Sequence, residues 1–262
     1  MIKQKIRQVY QLGRRYYKKQ KYRLYLREKL KKRKIILVHQ MGKVASSSIV
    51  NSLRTNKLDI AICQTHYLKK QSLDNCVKKY KISKIPLPNY IIASQEISKF
   101  VDTASQDYPW KIITIIRDPI HRNISAFFQN AYAGKQSDLY IPNLVDNYED
   151  GQLEITNLID DFLVNYPHEI PLKWLDRQVK DVFGIDVYQR NFPHQKGYQI
   201  IKLQNVNILI LKLECLQNCL QTAVSEFLEI DNFQLNNKNQ AKQKGYFDVY
   251  SDFLNSITLP QS

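Results

Sequence analysis

Two short runs of aliphatic and β-branched residues constrain this chain more than any other feature. Ile35-Ile36-Leu37-Val38-His39 and Lys111-Ile112-Ile113-Thr114-Ile115-Ile116 are almost unbroken apolar stretches. Such runs mark strands buried on both faces, as in parallel sheets. Each is followed within a few residues by a helix start. After the first run come Gln40-Met41-Gly42-Lys43-Val44-Ala45 and then Ser46-Ser47-Ser48-Ile49-Val50-Asn51-Ser52-Leu53. The latter reads as a helix with Ser at its start and Ile49, Val50 and Leu53 on one face. After the second run, Arg117-Asp118-Pro119 turns the chain, with Asp118 as N-cap and Pro119 at the first helical position. Ile120 to Tyr132 then reads as a helix with Ile124, Phe127 and Phe128 inward. Further strands are expected at Tyr90 to Ala93 and Asn207 to Leu213, and helices at 156–166, 171–182 and 216–229. Strands alternating with helices define an α/β domain around a central, mainly parallel sheet flanked by helices.

The chain has 262 residues, 44 % of them hydrophobic, enough to bury a core without disulfides or metals. No run approaches eighteen apolar residues, so no transmembrane helix is expected. The basic N-terminus lacks the apolar segment of a secretory signal, so the expected location is cytoplasmic. Cys63, Cys76, Cys215 and Cys219 form no zinc-type spacing and read as reduced thiols.

Charge is unevenly spread. The formal net charge is +15, but residues 1–34 hold fifteen Lys and Arg against one acid, Glu28, leaving the rest of the chain near neutrality. The body is therefore no general polyanion binder, and no nucleic-acid partner is expected. Residues 1–34 read as a basic helical extension preceding an α/β domain over 35–262. Lys and Arg interleaved with Tyr and Leu suit contact with a membrane face, which would make the protein peripheral there; a merely solvated basic helix fits the composition equally well.

The first loop carries the chemistry. A loop leaving a parallel strand for a helix sits at the carboxyl edge of the sheet, where ligands of such folds bind. The backbone N–H groups of Val44 through Ser48 and the helix dipole would favour an anion. Ser46, Ser47 and Ser48 add hydroxyls, and Lys43 adds a charge at the mouth. A phosphate or sulfate group is the expected ligand. The loop is not a Walker A motif: Gly42-Lys43 is followed by Val44, and Leu37 stands five residues before Gly42 where that motif needs glycine. Arg117 ends the second strand, and Ser125 lies eight residues on, about two turns into its helix. A guanidinium fork and a hydroxyl there would make a second anion site, unless Arg117 is taken by a salt bridge to Asp118. Two strand-ending anion sites suit a ligand with two separate phosphate groups.

Lys43-Val44-Ala45-Ser46-Ser47-Ser48 resembles the 5′-phosphosulfate loop of sulfotransferases that use 3′-phosphoadenosine 5′-phosphosulfate. Arg117-Asp118-Pro119 with Ser125 resembles their 3′-phosphate site. The stretches HQMGKVASSSI, RDPIHRNISAFF, KWLD…FGIDVY and LKLECLQNC look in particular like a bacterial group of sulfotransferase-like proteins once labelled capsular polysaccharide synthesis proteins. The likeness covers roughly residues 35–255 and implies a P-loop-like three-layer sandwich. It implies that Lys43 contacts the phosphosulfate and its bridging oxygen. The backbone of Val44 and Ala45 and the Ser46, Ser47 and Ser48 hydroxyls would hold that group, and Arg117 and Ser125 the 3′-phosphate. Ala45 and the serines depart from the Gly and Thr usual in many relatives. Lys244-Gly245-Tyr246 is similar to a nucleotide-closing loop, though it reads equally as a polar turn. Trp174 is expected in the core rather than on adenine.

The resemblance implies sulfuryl transfer to a hydroxyl or amine, on a saccharide or cell-envelope glycan, with no metal. Transfer to a hydroxyl needs a base. His66 ranks first and Glu96 second, the latter expected just past a strand at 90–93. His121 stands nearer the nucleotide, and His39 reads as a core residue. A P-loop-type phosphotransferase and a nonenzymatic anion-binding adaptor on the same fold are the alternatives.

Overall fold

The computed structural model describes residues 2–56, 58–135, 137–231, 233–234 and 245–258, with only the main chain for 2–6, 8, 9, 12 and 46. The chain opens with helix α1 (Ile2–Lys31), then strand β1 (Ile35–His39), α2 (Ser46–Thr55), β2 (Ala61–Thr65), α3 (Lys70–Ile82), α4 (Asn89–Val101), β3 (Trp110–Ile116) and α5 (Pro119–Ala133). Next come α6 (Leu144–Glu149), α7 (Ile155–Asn165), α8 (Ile170–Leu175), a π-helical turn (Asp176–Lys180) and α9 (Asp181–Phe183). The hairpin β4 (Tyr198–Lys202) and β5 (Val206–Lys212) follows, then α10 (Leu216–Leu228) and α11 (Phe247–Ser256).

The five strands form one sheet in the order β2-β1-β3-β5-β4. β1 pairs in parallel with β2 and β3, β3 pairs in parallel with β5, and only the edge strand β4 runs antiparallel. This is the expected mixed α/β architecture, a largely parallel sheet flanked by helices in a three-layer sandwich. The two founding runs are its centre: Ile36, Leu37, Val38, Ile112 and Ile113 have no solvent exposure. From β1 the chain steps to β2 on one side, then returns to place β3 on the other. The strand order therefore reverses between β1 and β3, and the loops leaving their carboxyl ends frame the crevice that such a reversal opens.

Several elements depart from expectation. Tyr90 to Ala93 is not a strand but the first turns of α4, entered from Pro88. A four-residue apolar run cannot be told from a buried helix segment by periodicity; here burial continues through Ser94, Glu96, Ile97 and Ser98, as a helix face requires. The helix expected over 171–182 is interrupted by the π-turn. There the Gln178 carbonyl accepts from His39 Nε2 at 3.0 Å, while its side-chain Oε1 accepts from the Leu68 and Lys69 N–H groups. An inserted π-turn frees a carbonyl from the helical ladder, and this one is used to hold β1.

The Glu96 carboxylate lies under α1 rather than at the sheet edge. It accepts from Arg23 Nη1 and, at 2.6 Å, from Arg27 Nε. Burial raises its pKa, but the two guanidinium partners override that and hold it below the ordinary carboxylate value. Leu26 and Leu30 of α1 sit in the main core, so the last turns of the helix pack against the sheet domain. A second, aromatic-rich cluster joins α5, α7 and α11 through Phe127, Phe128, Phe162, Tyr166, Tyr246 and Phe253. That cluster carries α11 to the mouth of the crevice.

Candidate functional site

A cavity of about 710 Å³ opens at the carboxyl edge of β1, β2 and β3. Gly42, Lys43, Ala45 and Ser47 line it from the first loop, Arg117 from the end of β3, and Ser125 and Gln129 from α5. His66, at the exit of β2, and Tyr90 of α4 form another wall; Tyr246, Phe247 and Tyr250 close the far side. Two strand-ending groups 74 residues apart in sequence meet here: Arg117 Nη1 donates to the Lys43 carbonyl at 3.0 Å. Among the described residues the cavity is lined by a lysine and an arginine and by no aspartate or glutamate. In a partly enclosed space that imbalance favours an anionic ligand.

The loop itself is conformationally costly. Lys43 and Ala45 both sit in the left-handed region, at φ 74° and 58°. An L-residue there costs about 1–2 kcal/mol, and such outliers persist where the surroundings over-determine them. The surroundings are visible: Met41 and Val44 are buried, and Arg122 Nε donates to the Gly42 carbonyl at 3.3 Å. With the Gly42 and Lys43 carbonyls each held by a guanidinium, planar trans peptides fix the directions of the Lys43 and Val44 N–H groups. Ser46 opens α2 as expected, but the N-cap is Ala45, which has no side chain to cap with. The helix therefore begins without the side-chain acceptor that usually satisfies its first N–H groups. Ala45→Gly should relieve the left-handed strain and stabilise the protein by roughly 0.5–1 kcal/mol. Calorimetry should show a Tm rise of about 1–3 °C, and a fall would show that the methyl group makes a contact the loop needs.

Arg117 makes no salt bridge to Asp118. Asp118 is the N-cap of α5, as its position suggested, accepting from the His121 N–H at 2.9 Å and contacting His121 Nδ1 at 2.8 Å. That occupies the neighbouring carboxylate and leaves the Arg117 guanidinium with no acidic partner among the described residues. Lys43 Nζ donates to Gln129 Oε1 at 3.2 Å, one turn beyond Ser125 on the same helix face. Ser48 is half-buried and Val44 wholly buried, so Val44 offers the cavity only its main chain.

His66 is held in one tautomer. Its Nδ1 lies 2.7 Å from the Gln40 carbonyl, which can only accept, so Nδ1 carries the proton and Nε2 is the basic nitrogen. The ring packs on Tyr90 with centroids 4.6 Å apart, and the His66 carbonyl accepts from Trp174 Nε1 at 3.2 Å. Burial lowers its pKa below the ordinary 6.5 and the nearby Arg122 charge lowers it further, against the opposing bond to Gln40. The ring is thus neutral at pH 7 and able to accept a proton at Nε2. His39 is the contrasting case: wholly buried, bonded through both nitrogens to Thr65 Oγ1 and the Gln178 carbonyl, its pKa pushed down to about 3 by burial. Trp174 is buried against it, in the core as expected.

The structure thus brings Lys43, Ala45, Ser47, His66, Arg117 and Ser125 to one cavity. Glu96 and His121 do not line it; His121 is exposed beside Asp118. Lys244 and the Ser46 side chain lie outside the described residues. Tyr246, of the Lys244-Gly245-Tyr246 stretch, lines the cavity too, while Gln64, Tyr90, Gln129, Leu213, Phe247 and Tyr250 line it without having been singled out in the sequence. Gln129 was within reach, being four residues after Ser125; Tyr246 and Tyr250 share the same spacing on one helix face.

Residues 152–259 match the family described as "Putative capsular polysaccharide synthesis protein". The matched segment runs from before α7 through α11. It contains the KWLD and LKLECLQNC stretches and the aromatic wall of the cavity, while the Lys43 loop and Arg117 precede it. No curated protein and no solved structure matches the chain. Over this C-terminal part the chain is similar to a family whose description is glycan-related.

Proposed function

We propose that this protein is a sulfotransferase that moves a sulfuryl group from 3′-phosphoadenosine 5′-phosphosulfate to a hydroxyl of a saccharide. The observation that carries the reading is the meeting of Lys43 and Arg117, from two adjacent strand ends, in one cavity that no carboxylate of the described residues lines. A donor with phosphate groups at both ends of its ribose matches two separated cations. The cavity volume falls within the range of cofactor and small-ligand sites.

In this reading Arg117 and Ser125 bind the 3′-phosphate, while Ser47 and the start of α2 bind the phosphosulfate. His66 Nε2 takes the proton from the acceptor hydroxyl as its oxygen bonds to sulfur. The bond from sulfur to the bridging oxygen breaks, and its electron pair stays with the 5′-phosphate. Lys43 stabilises the charge developing on that oxygen, and Gln129 orients Lys43. The acceptor half of the cavity is neutral and aromatic, with Tyr90, Tyr246, Phe247 and Tyr250, which suits the apolar faces of sugar rings. The family match, which covers Tyr246, Phe247 and Tyr250 of this wall, supports a glycan acceptor.

The test is transfer of label from sulfur-labelled donor to a panel of neutral oligosaccharides, with stoichiometric release of adenosine 3′,5′-bisphosphate. Transfer of the γ-phosphate of ATP to the same panel, with no sulfuryl transfer, would overturn the proposal in favour of a phosphotransferase.

A further inference from the structure

The positive charge of α1 divides sharply along its length. From Arg23 onward every basic residue except Lys31 has an acidic partner: Arg23 and Arg27 pair with Glu96, Lys29 with Asp59, Lys32 with Glu28, and, just past the helix, Arg33 with Asp107 and Lys34 with Asp59. Before residue 22, Arg7, Arg14, Arg15, Lys18, Lys19 and Lys21 form no ion pair with any described residue. The helix is docked by its last turns, and its unmatched charge lies along the part that leaves the body.

That part is ordered in rows. Tyr10, Tyr17 and Leu24 recur every seven residues and are 70 %, 67 % and 64 % exposed. At about 100° per residue they fall on one narrow line of the helix. Leu26 and Leu30, which enter the core, lie on the opposite side. Arg7, Arg14 and Lys21 repeat with the same seven-residue spacing and are exposed. Each of Arg14 and Lys21 follows a tyrosine of the first line by four residues, so the basic row lies beside the aromatic row. The two rows together span about 25 Å. Among the described residues no helix is long and apolar enough to cross a membrane.

We propose that the outer face of α1 is a docking surface for an anionic lipid bilayer, with the helix lying along the headgroups. Tyrosine places an apolar ring and a polar hydroxyl at the headgroup level, and the neighbouring basic row meets anionic lipid. The like charge of two such helices disfavours a second copy as the occupant. The docking holds whatever the cavity binds, since none of these residues lines it.

The experiment is co-sedimentation of the full chain with vesicles of phosphatidylcholine alone or with about 30 % phosphatidylglycerol, at low and high salt. The protein should bind the anionic vesicles, release in high salt, and ignore the neutral ones. Replacing the basic row (Arg7→Gln, Arg14→Gln, Lys21→Gln) should lower partitioning about 100-fold. The same charge removed from the body (Lys78→Gln, Lys81→Gln, Lys99→Gln) should change it by less than about 3-fold. Tyr10→Ser with Tyr17→Ser should lower it about 10-fold with the salt dependence retained. All these side chains are in solvent, so melting curves should match wild type. Equal binding to neutral vesicles, no binding, or equal loss in the row and body variants would overturn the proposal. A lipid-independent dimer that the tyrosine substitutions abolish would overturn it in favour of a second copy.

Discussion

Lys43→Ala is expected to lower kcat for sulfuryl transfer by about 10²–10³-fold while weakening adenosine 3′,5′-bisphosphate binding much less. The asymmetry follows from where charge develops. In the ground state the phosphosulfate is also held by the start of α2 and by Ser47, so one cation is a modest part of its binding. As the sulfur–oxygen bond breaks, negative charge accumulates on the bridging oxygen, and Lys43 is the cation at the loop that would hold it. Arg117→Ala should show the opposite split. It removes the charge-assisted bonds to the 3′-phosphate, which does not react, so affinity should fall by about 30-fold or more with a smaller change in saturated rate. Arg117 also holds the Lys43 carbonyl, so Arg117→Lys is the informative companion: it keeps the charge and loses the fork. Equal effects of Lys43→Ala on kcat and on binding would mean that the lysine is a binding residue only.

His66→Ala should lower the rate by about 10²–10⁴-fold at neutral pH and change the shape of the pH profile. The direction follows from the depressed pKa. A base whose pKa lies below 6.5 is unprotonated at pH 7 and remains so as the pH falls toward that lowered value. Wild-type activity should therefore show an acid limb centred below pH 6.5, as His66 gains a proton. The variant should lose that acid limb. A wild-type limb centred above 6.5, or an unchanged limb in His66→Ala, would move the role of base to another group. Because the ring also packs on Tyr90, the melting temperature of the variant separates lost chemistry from lost packing.

The centre of the fold was legible because its signals are local. β1 and β3 are buried on both sides and read as continuous apolar runs; Asp118-Pro119 announces α5 by cap chemistry alone. The edges were not. β2 is five residues ending Cys63-Gln64-Thr65, with Gln64 half-buried, and β4 is the antiparallel edge strand, only partly buried along its length. Neither presents a clean apolar run: β2 buries polar Thr65 and carries Gln64, and β4 carries Gln199 and the exposed Lys202. Missing β2 matters for the site. His66 owes its position to the carboxyl end of β2, beside β1, a strand no local signal in the sequence announces. Glu96 failed for the matching reason: α4 read as a strand put it at the sheet edge, and its real partners, Arg23 and Arg27, are about seventy residues earlier in the chain. The aromatic wall of α11 was illegible because it reaches the cavity through the second hydrophobic cluster, a contact between distant segments that no local pattern encodes.

In the proposed function one cavity holds both ends of a 3′-phosphorylated nucleotide. Titration calorimetry with adenosine 3′,5′-bisphosphate, 5′-AMP and ATP with Mg²⁺ tests it most directly. The bisphosphate should bind saturably and one-to-one, 5′-AMP at least about 30-fold more weakly, and Arg117→Ala should lose that preference. Tighter binding of ATP with Mg²⁺ than of the bisphosphate, or equal affinity for the bisphosphate and 5′-AMP, would contradict it.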